Sequence, residues 1–343
     1  MALKSLSGRR KVVIPAYTCY SVPSAIAKAG LAIAPCDLRC ETMDFDWNQL
    51  EPLLDDDTLC VVPTHLFGIP SDVERVRRLC EGKGIYVVED AAQGLGVEAG
   101  GNRLGSLGDV SFFSLGRGKH ITCGTGGVVA TRSEEISRAL RIVYQEVAAE
   151  PAGNVALSIV SVLLMTIFLR PGLYWLPEGM PILGLGESRY YKDFPVFRLS
   201  RFQAGLLRRW RETLAAFNLA REATGKYYRS ALQLEGAMGI YSGDVPYLRF
   251  PVFFREDEER AGKTPEYGAL GVRRMYPDSV NHIAELRDRF AGRSFGNSEK
   301  IARTLWTLPT HTLLRDTDKA RICDAVRRAI DRLPAQPLNS GIN

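Results

Sequence analysis

The stretch Ile85-Tyr86-Val87-Val88-Glu89-Asp90-Ala91-Ala92-Gln93 decides the fold. Four apolar residues run without a polar break and end on two acids. A strand that is apolar on both sides belongs inside a sheet covered on both faces, which implies parallel strands joined by helices. Working outward, the alternation recurs. Lys11–Pro15, Ala32–Leu38 and Thr58–Thr64 read as strands, while Ser21–Ala29, Trp47–Leu54 and Asp72–Gly82 read as helices between them. Strands Val110–Leu115 and Gly127–Thr131 and a helix from Ser133 follow. A long helical pattern then runs from about 198 to near Leu234, with a strand over Tyr247–Phe254 broken by Pro251 and an amphipathic helix over Asp316–Arg332. Alternating elements followed by a mixed lobe give the expectation of an α/β protein: a large domain with a mostly parallel sheet, and a smaller C-terminal α+β domain. The expected division is 1–150, a connecting segment 151–197, and 198–335.

Composition narrows the function. The chain has 343 residues, 45% of them apolar and 24% charged, with a formal charge of +5. No block of five or six basic residues occurs, which argues against a nucleic-acid partner. Seven cysteines lie at 19, 36, 40, 60, 80, 123 and 323 without a CxxC pair, and there are four histidines. Neither zinc spacing nor a disulfide ladder is visible, so no metal site is expected and a reducing, cytoplasmic compartment is. Residues 1–10 lack the apolar core of a signal peptide and read as the last turns of a helix closed by Gly8. Val155–Leu169 carries no charge, and only Arg170 and Glu178 are charged between 151 and 186. The run meets Arg170-Pro171 too early for a membrane span. A buried helix or a subunit contact is expected, with peripheral membrane contact through 155–175 as the alternative.

Two residues stand out chemically. Asp90 ends the most apolar strand, and in a doubly wound sheet ligands sit beyond the carboxyl ends of the strands; by itself it also reads as a cap of the next helix. Lys119 lies in Phe113-Ser114-Leu115-Gly116-Arg117-Gly118-Lys119-His120-Ile121-Thr122-Cys123-Gly124-Thr125-Gly126-Gly127, between two glycine turns that let backbone approach a planar ligand. Taken alone, such a lysine also reads as solvated. Together, a lysine and a carboxylate on adjacent loops are what pyridoxal phosphate requires, one for a Schiff base and one for the ring nitrogen. An ion pair near 4 Å is worth about 4 kcal/mol at an effective dielectric of 20, less desolvation.

These two stretches resemble the DegT-type sugar-nucleotide aminotransferase family of fold type I pyridoxal-phosphate enzymes. The likeness extends to Ile14-Pro15-Ala16-Tyr17-Thr18, Thr64-His65-Leu66-Phe67-Gly68 and Leu305-Trp306-Thr307-Leu308-Pro309, in family order over nearly the whole chain. The resemblance implies a homodimer that uses pyridoxal 5'-phosphate to move an amino group from an amino-acid donor, glutamate above all, to a nucleotide-linked keto-sugar. Such products serve surface polysaccharides or glycosylated metabolites. It also implies roles: Lys119 carries the cofactor and shuttles a proton, Asp90 holds the ring nitrogen, Gln93 reaches the edge near the phenolic oxygen, and Ser114 bonds the phosphate.

The sequence departs from the family at four places. Cys19 stands where an aromatic side chain stacks on the ring, leaving Tyr20 as the nearby aromatic expected to do so. Thr125 replaces an acid, and Val196 falls near a subunit-crossing asparagine. The family also has a helix-rich stretch before Ile14, with a Gly-Thr or Gly-Ser turn whose helix N-terminus holds the phosphate. Only its last turn is expected here, so the chain as it stands is expected to bind the cofactor weakly and be nearly inactive, with the rest encoded upstream. Two alternatives accompany the aminotransferase. One is a catalytically impaired homologue acting as a partner subunit or membrane-associated protein. The other, less favoured, is a pyridoxal-phosphate sugar dehydratase, which would carry histidine where Lys119 stands.

Overall fold

The computed structural model describes residues 1–168, 188–233, 243–254, 268 and 270–331. Helix α1 (Ala2–Ser7) ends at Gly8, whose left-handed backbone (φ 72°) lets its N–H bond Lys4 O; a side chain would resist that conformation. Six strands then form one sheet: β1 (Lys11–Pro15), β2 (Ala32–Cys36), β3 (Thr58–Val61), β4 (Tyr86–Asp90), and the strands Val110–Ser114 and Gly127–Thr131. Between β4 and Val110–Ser114 lies a small hairpin, β5 (Glu98–Ala99) and β6 (Asn102–Arg103), so those last two strands are β7 and β8. The order is β2-β1-β3-β4-β7-β8. The first five strands are parallel, and β8 closes the edge antiparallel to β7.

Burial explains the apolar runs. Val12, Ile14, Cys60 and Val62 face one buried cluster, and Val13, Val61 and Val87 face another on the opposite side of the sheet. Successive side chains point to opposite faces, so a strand covered on both must be apolar throughout. Helices α2 (Ser21–Lys28), α3 (Trp47–Leu50) and α4 (Val73–Cys80) supply the crossovers. Asp46 and Asp72 cap α3 and α4 by accepting from Asn48 N and Arg75 N. Helix α5 (Glu134–Glu146) is capped by Ser133. Short strands β9 (Ala148–Ala149) and β10 (Phe197–Arg198) pair in parallel across helix α6 (Ala152–Phe168).

The C-terminal half differs from expectation in two details. The long helical pattern is two helices, α7 (Arg201–Leu206) and α8 (Trp210–Leu232). A capping box at Ser200 and Gln203 starts the first, and the chain turns at Leu207. Strand β11 (Arg249–Phe253) runs through Pro251 unbroken, paired antiparallel with β12 (Leu305–Pro309). Thr307, opposite Pro251, exchanges its backbone bonds with Arg273 on the far side, so Pro251 sits at a pair without ladder bonds, where the missing N–H of proline does no harm. Helices α9 (Gly296–Thr304) and α10 (Asp316–Asp331) complete this half. Tyr228 of α8, Phe250 of β11, Leu308 of β12 and Val326 of α10 join the cluster that covers Val13 and Val61. The C-terminal half thus packs onto one face of the sheet, near the loops that leave its carboxyl edge.

Candidate active site

Because β1, β3, β4 and β7 are parallel, the segments that follow them gather along one edge. They are Ala16–Tyr20, Val62–His65, Asp90–Gln93 and Ser114–Lys119. The chain goes to β2 on one side of β1 and to β3 on the other, so the sheet reverses direction there, which is where open α/β sheets bind ligands.

Asp90 is the centre of this group. Its main chain is stitched to the β3 loop, donating to Pro63 O and accepting from His65 N. Its side chain is 4% exposed, and Oδ1 accepts from Ala92 N at 3.0 Å. Among the described residues Oδ2 has no hydrogen-bond partner. Burial raises its pKa, against the Ala92 N–H and the nearby charge of Lys119. A carboxylate this buried asks for a cationic or N–H donor, and the protonated nitrogen of a pyridine ring supplies one. Lys119 is half-buried after the glycine turn, and its Nζ makes no hydrogen bond or ion pair among the described residues. Ser114 ends β7 with Oγ accepting from Gly116 N at 3.3 Å, which holds the hydroxyl oxygen and leaves its own hydrogen to donate. These residues fit pyridoxal phosphate: Asp90 for the ring nitrogen, Lys119 for the aldehyde carbon, Ser114 for the phosphate.

Gln93 is 3% exposed and held on both sides, its Oε1 accepting from Phe67 N at 3.1 Å and its Nε2 donating to Tyr276 Oη at 2.6 Å. Tyr20 is not brought to this group. It caps α2, its ring packs with Val12, Ile14 and Ile26, and its hydroxyl donates to Asp278 O. The buried aromatic ring close to both Cys19 and Asp90 is Tyr276. Thr125 accepts from Gln203 Nε2 at 2.9 Å, so a neutral amide from α7 serves the position where the family has an acid. Val196 lies on the surface, 51% exposed.

Three supporting residues escaped the sequence reading. Glu89 is fully buried and accepts from Gly105 N, Leu107 N, Gly108 N and His65 Nε2. Burial pushes its pKa up, but the bonds from His65 and from the Gly108 and Gly105 backbone outweigh it and hold the carboxyl low. Ser71 N donates to His65 Nδ1, so the ring proton sits on Nε2 facing Glu89. This pair pins the segment after Gln93. At Gly105 (φ 85°) a Cβ would meet the Phe113 ring at 2.4 Å. The third is Arg221 of α8, which spans Leu248 O, Thr310 Oγ1 and Lys119 O and so joins the C-terminal half to the lysine loop.

His120, next to the lysine, is 1% exposed, with Nδ1 at 2.7 Å from Asn218 Oδ1 and Nε2 at 3.0 Å from Gln93 O. Both contacts favour the charged ring, yet burial and the Arg221 charge outweigh them and pull the pKa down to about 4. A depressed folded-state value stabilises above the unfolded value near 6.5 and is lost as pH falls toward 4, roughly 3 kcal/mol for a shift of this size. His120→Gln should therefore lose less stability than the unsubstituted protein between pH 7 and pH 4.5 in urea unfolding. Equal losses would contradict the assignment.

Comparison with known proteins bears on the fold. Residues 1–158 match the model of the DegT/DnrJ/EryC1/StrS aminotransferase family. A GDP-perosamine synthase of Vibrio cholerae is 30% identical over 140 residues, covering 40% of this chain and 38% of that protein, so the chain spans under half of that relative. A UDP-N-acetyl-3-dehydro-alpha-D-glucosamine 3-aminotransferase of Acidithiobacillus ferrooxidans is 24% identical over 322 residues, 93% of this chain and 78% of that protein. The crystal structure of S. venezuelae DesV with a ketimine intermediate superposes with a TM-score of 0.74 at 25% identity, over 97% of this chain and 82% of that one. Fold and site together define an α/β protein with the architecture of fold type I pyridoxal-phosphate enzymes. Over residues 1–158, just under half of its length, the chain is similar to the DegT/DnrJ/EryC1/StrS aminotransferase family.

Proposed function

We propose that this protein transfers an amino group from an amino-acid donor such as glutamate to a nucleotide-linked keto-sugar, in the cytoplasm. Surface polysaccharide or glycosylated-metabolite synthesis would use the product. The observation that carries this is the buried Asp90 carboxylate with its unengaged Oδ2, sharing one edge of the sheet with Lys119. Pyridoxal phosphate, when bound, supplies an electron sink for deprotonation next to nitrogen. Asp90 holds a proton on the ring nitrogen by its charge. Lys119 Nζ takes and returns the proton that moves, as a general base and acid. The Ser114 hydroxyl donates to the phosphate, with its oxygen held by the Gly116 N–H, and buried Gln93 and His65 keep water from the Asp90 side. His120 cannot stand in for Lys119, because both its ring nitrogens face Asn218 and Gln93; this disfavours the dehydratase. Residues 1–150 form the cofactor-binding domain in this proposal, and 198–335 the second domain. Adding pyridoxal phosphate in large excess to the purified protein, to allow for the weak binding expected of the chain as it stands, should produce a visible absorption band that glutamate then bleaches. No band, or a band indifferent to every amino acid, would contradict the proposal.

The protein is further proposed to act as a homodimer. In α5 and α6, Ile142, Leu157, Leu163 and Leu164 are exposed on a single chain, and apolar side chains left on helix surfaces are what a subunit contact would bury. No helix among the described residues is long and apolar enough to cross a membrane, and the rest of the charge-poor segment, 169–186, lies outside them. The same surface is what favours the alternative of an impaired, membrane-associated homologue. Leu163→Glu should convert the dimer to monomer in sedimentation, with no flotation of either form on liposomes. Flotation of the unsubstituted protein that the substitution abolishes would favour lipid instead, and no change in either assay would show that α6 is neither interface.

A further inference from the structure

The proton on the Tyr276 hydroxyl can be located from the bonds around Gln93. Phe67 N is a backbone donor and cannot accept, so the Gln93 atom facing it at 3.1 Å is the oxygen. The amide nitrogen therefore faces Tyr276 Oη at 2.6 Å and donates to it. Tyr276 accepts this bond, and its own hydrogen remains to be given elsewhere. Among the described residues the hydroxyl has no other hydrogen bond, although Tyr276 is 3% exposed. A buried donor left without an acceptor is destabilising, so this one points to a ligand.

The surroundings indicate which ligand. The Tyr276 ring meets Tyr17 edge-on, with centroids 5.3 Å apart and planes at 60°. Cys19, Tyr17 and Asp90 all lie near enough to act on its hydroxyl electrostatically. The phenol is thus held from the C-terminal half of the chain, at the carboxyl edge of the sheet between the loops after β1 and β4. Cys19 brings no ring there, and the Gln93 nitrogen has one hydrogen already committed to Tyr276.

Resting on the aminotransferase proposal above, we propose that Tyr276 is a cofactor-binding residue whose O–H donates to the anionic oxygen on the edge of the bound pyridoxal ring. Gln93 acts behind it, orienting the hydroxyl by donating to its oxygen.

Tyr276→Phe keeps the ring and its contacts with Tyr17 and removes the hydroxyl, which is both the O–H donor and the acceptor of the Gln93 Nε2 hydrogen bond. Pyridoxal phosphate titrated into the unsubstituted protein and into this variant, followed by the visible band, should show affinity 10- to 100-fold weaker in the variant and a displaced band. Melting without cofactor should fall modestly, since the buried Gln93 Nε2–H loses its acceptor. Gln93→Met and the double variant separate direct contact from orientation. Direct contact makes the double variant bind more weakly than Gln93→Met alone. Affinity and band unchanged in Tyr276→Phe, or a double variant equal to Gln93→Met, would overturn the assignment while leaving the aminotransferase proposal standing. Absence of any band in the unsubstituted protein would overturn both.

Discussion

Asp90→Asn is expected to fold normally and to lose at least 10²-fold in transamination. The substitution is isosteric, and its amide oxygen can still accept from Ala92 N, so the turn after β4 keeps its hydrogen bond. What changes is Oδ2, which has no hydrogen-bond partner among the described residues. In asparagine that position must serve as a second donor or present a neutral oxygen. Neither matches the charge that keeps a ring nitrogen protonated. Loss of a few kcal/mol of stabilisation at the rate-limiting barrier corresponds to a hundredfold or more. Stability supplies a control of opposite sign. Burial raises the pKa of Asp90, so the ionised form is costly in the absence of ligand, and the neutral amide should melt no earlier. A variant retaining more than half the rate would exclude Asp90 from this role.

Lys119→Ala should abolish turnover more completely, by at least about 10³-fold, because it removes both the amine that anchors the cofactor and the group that moves the proton. The fold should tolerate it. The Nζ makes no bond among the described residues, and the contact from Arg221 goes to the Lys119 backbone oxygen, which alanine retains. Melting should be close to that of the unsubstituted protein. A Lys119→Ala protein that still transaminates would end the assignment.

Much of the sheet is legible in the sequence because β1, β3 and β4 are buried on both faces, and that burial forces the apolar runs. The site loops are legible for the same reason: each begins where an apolar strand stops, at Pro15, Asp90 or Ser114. The antiparallel sense of β8 is not legible, since direction leaves no mark on Gly-Val-Val-Ala-Thr. Tyr20 looked suitable because it neighbours Cys19, but α2 starts there and turns its ring into the cluster with Ile26. Tyr276 carries no local signal. It sits in Arg274-Met275-Tyr276-Pro277, far along the chain from Gln93, and only the folding of the C-terminal half onto the sheet edge brings them together. Arg221 is similarly hidden. On a helix it reads as one more solvated cation, yet it is 7% exposed and bonded to three distant segments. The break between α7 and α8 was missed because Leu206-Leu207-Arg208-Arg209 holds no residue that forbids helix.

The most direct test of the central claim is chemical. The protein loaded with pyridoxal phosphate is reduced with borohydride, digested, and its peptides mapped by mass. The arrangement of Asp90, Ser114 and Lys119 predicts a pyridoxyl group on Lys119 and on no other lysine. A label on another lysine in a protein that transaminates, or no label at all after reduction, would contradict it.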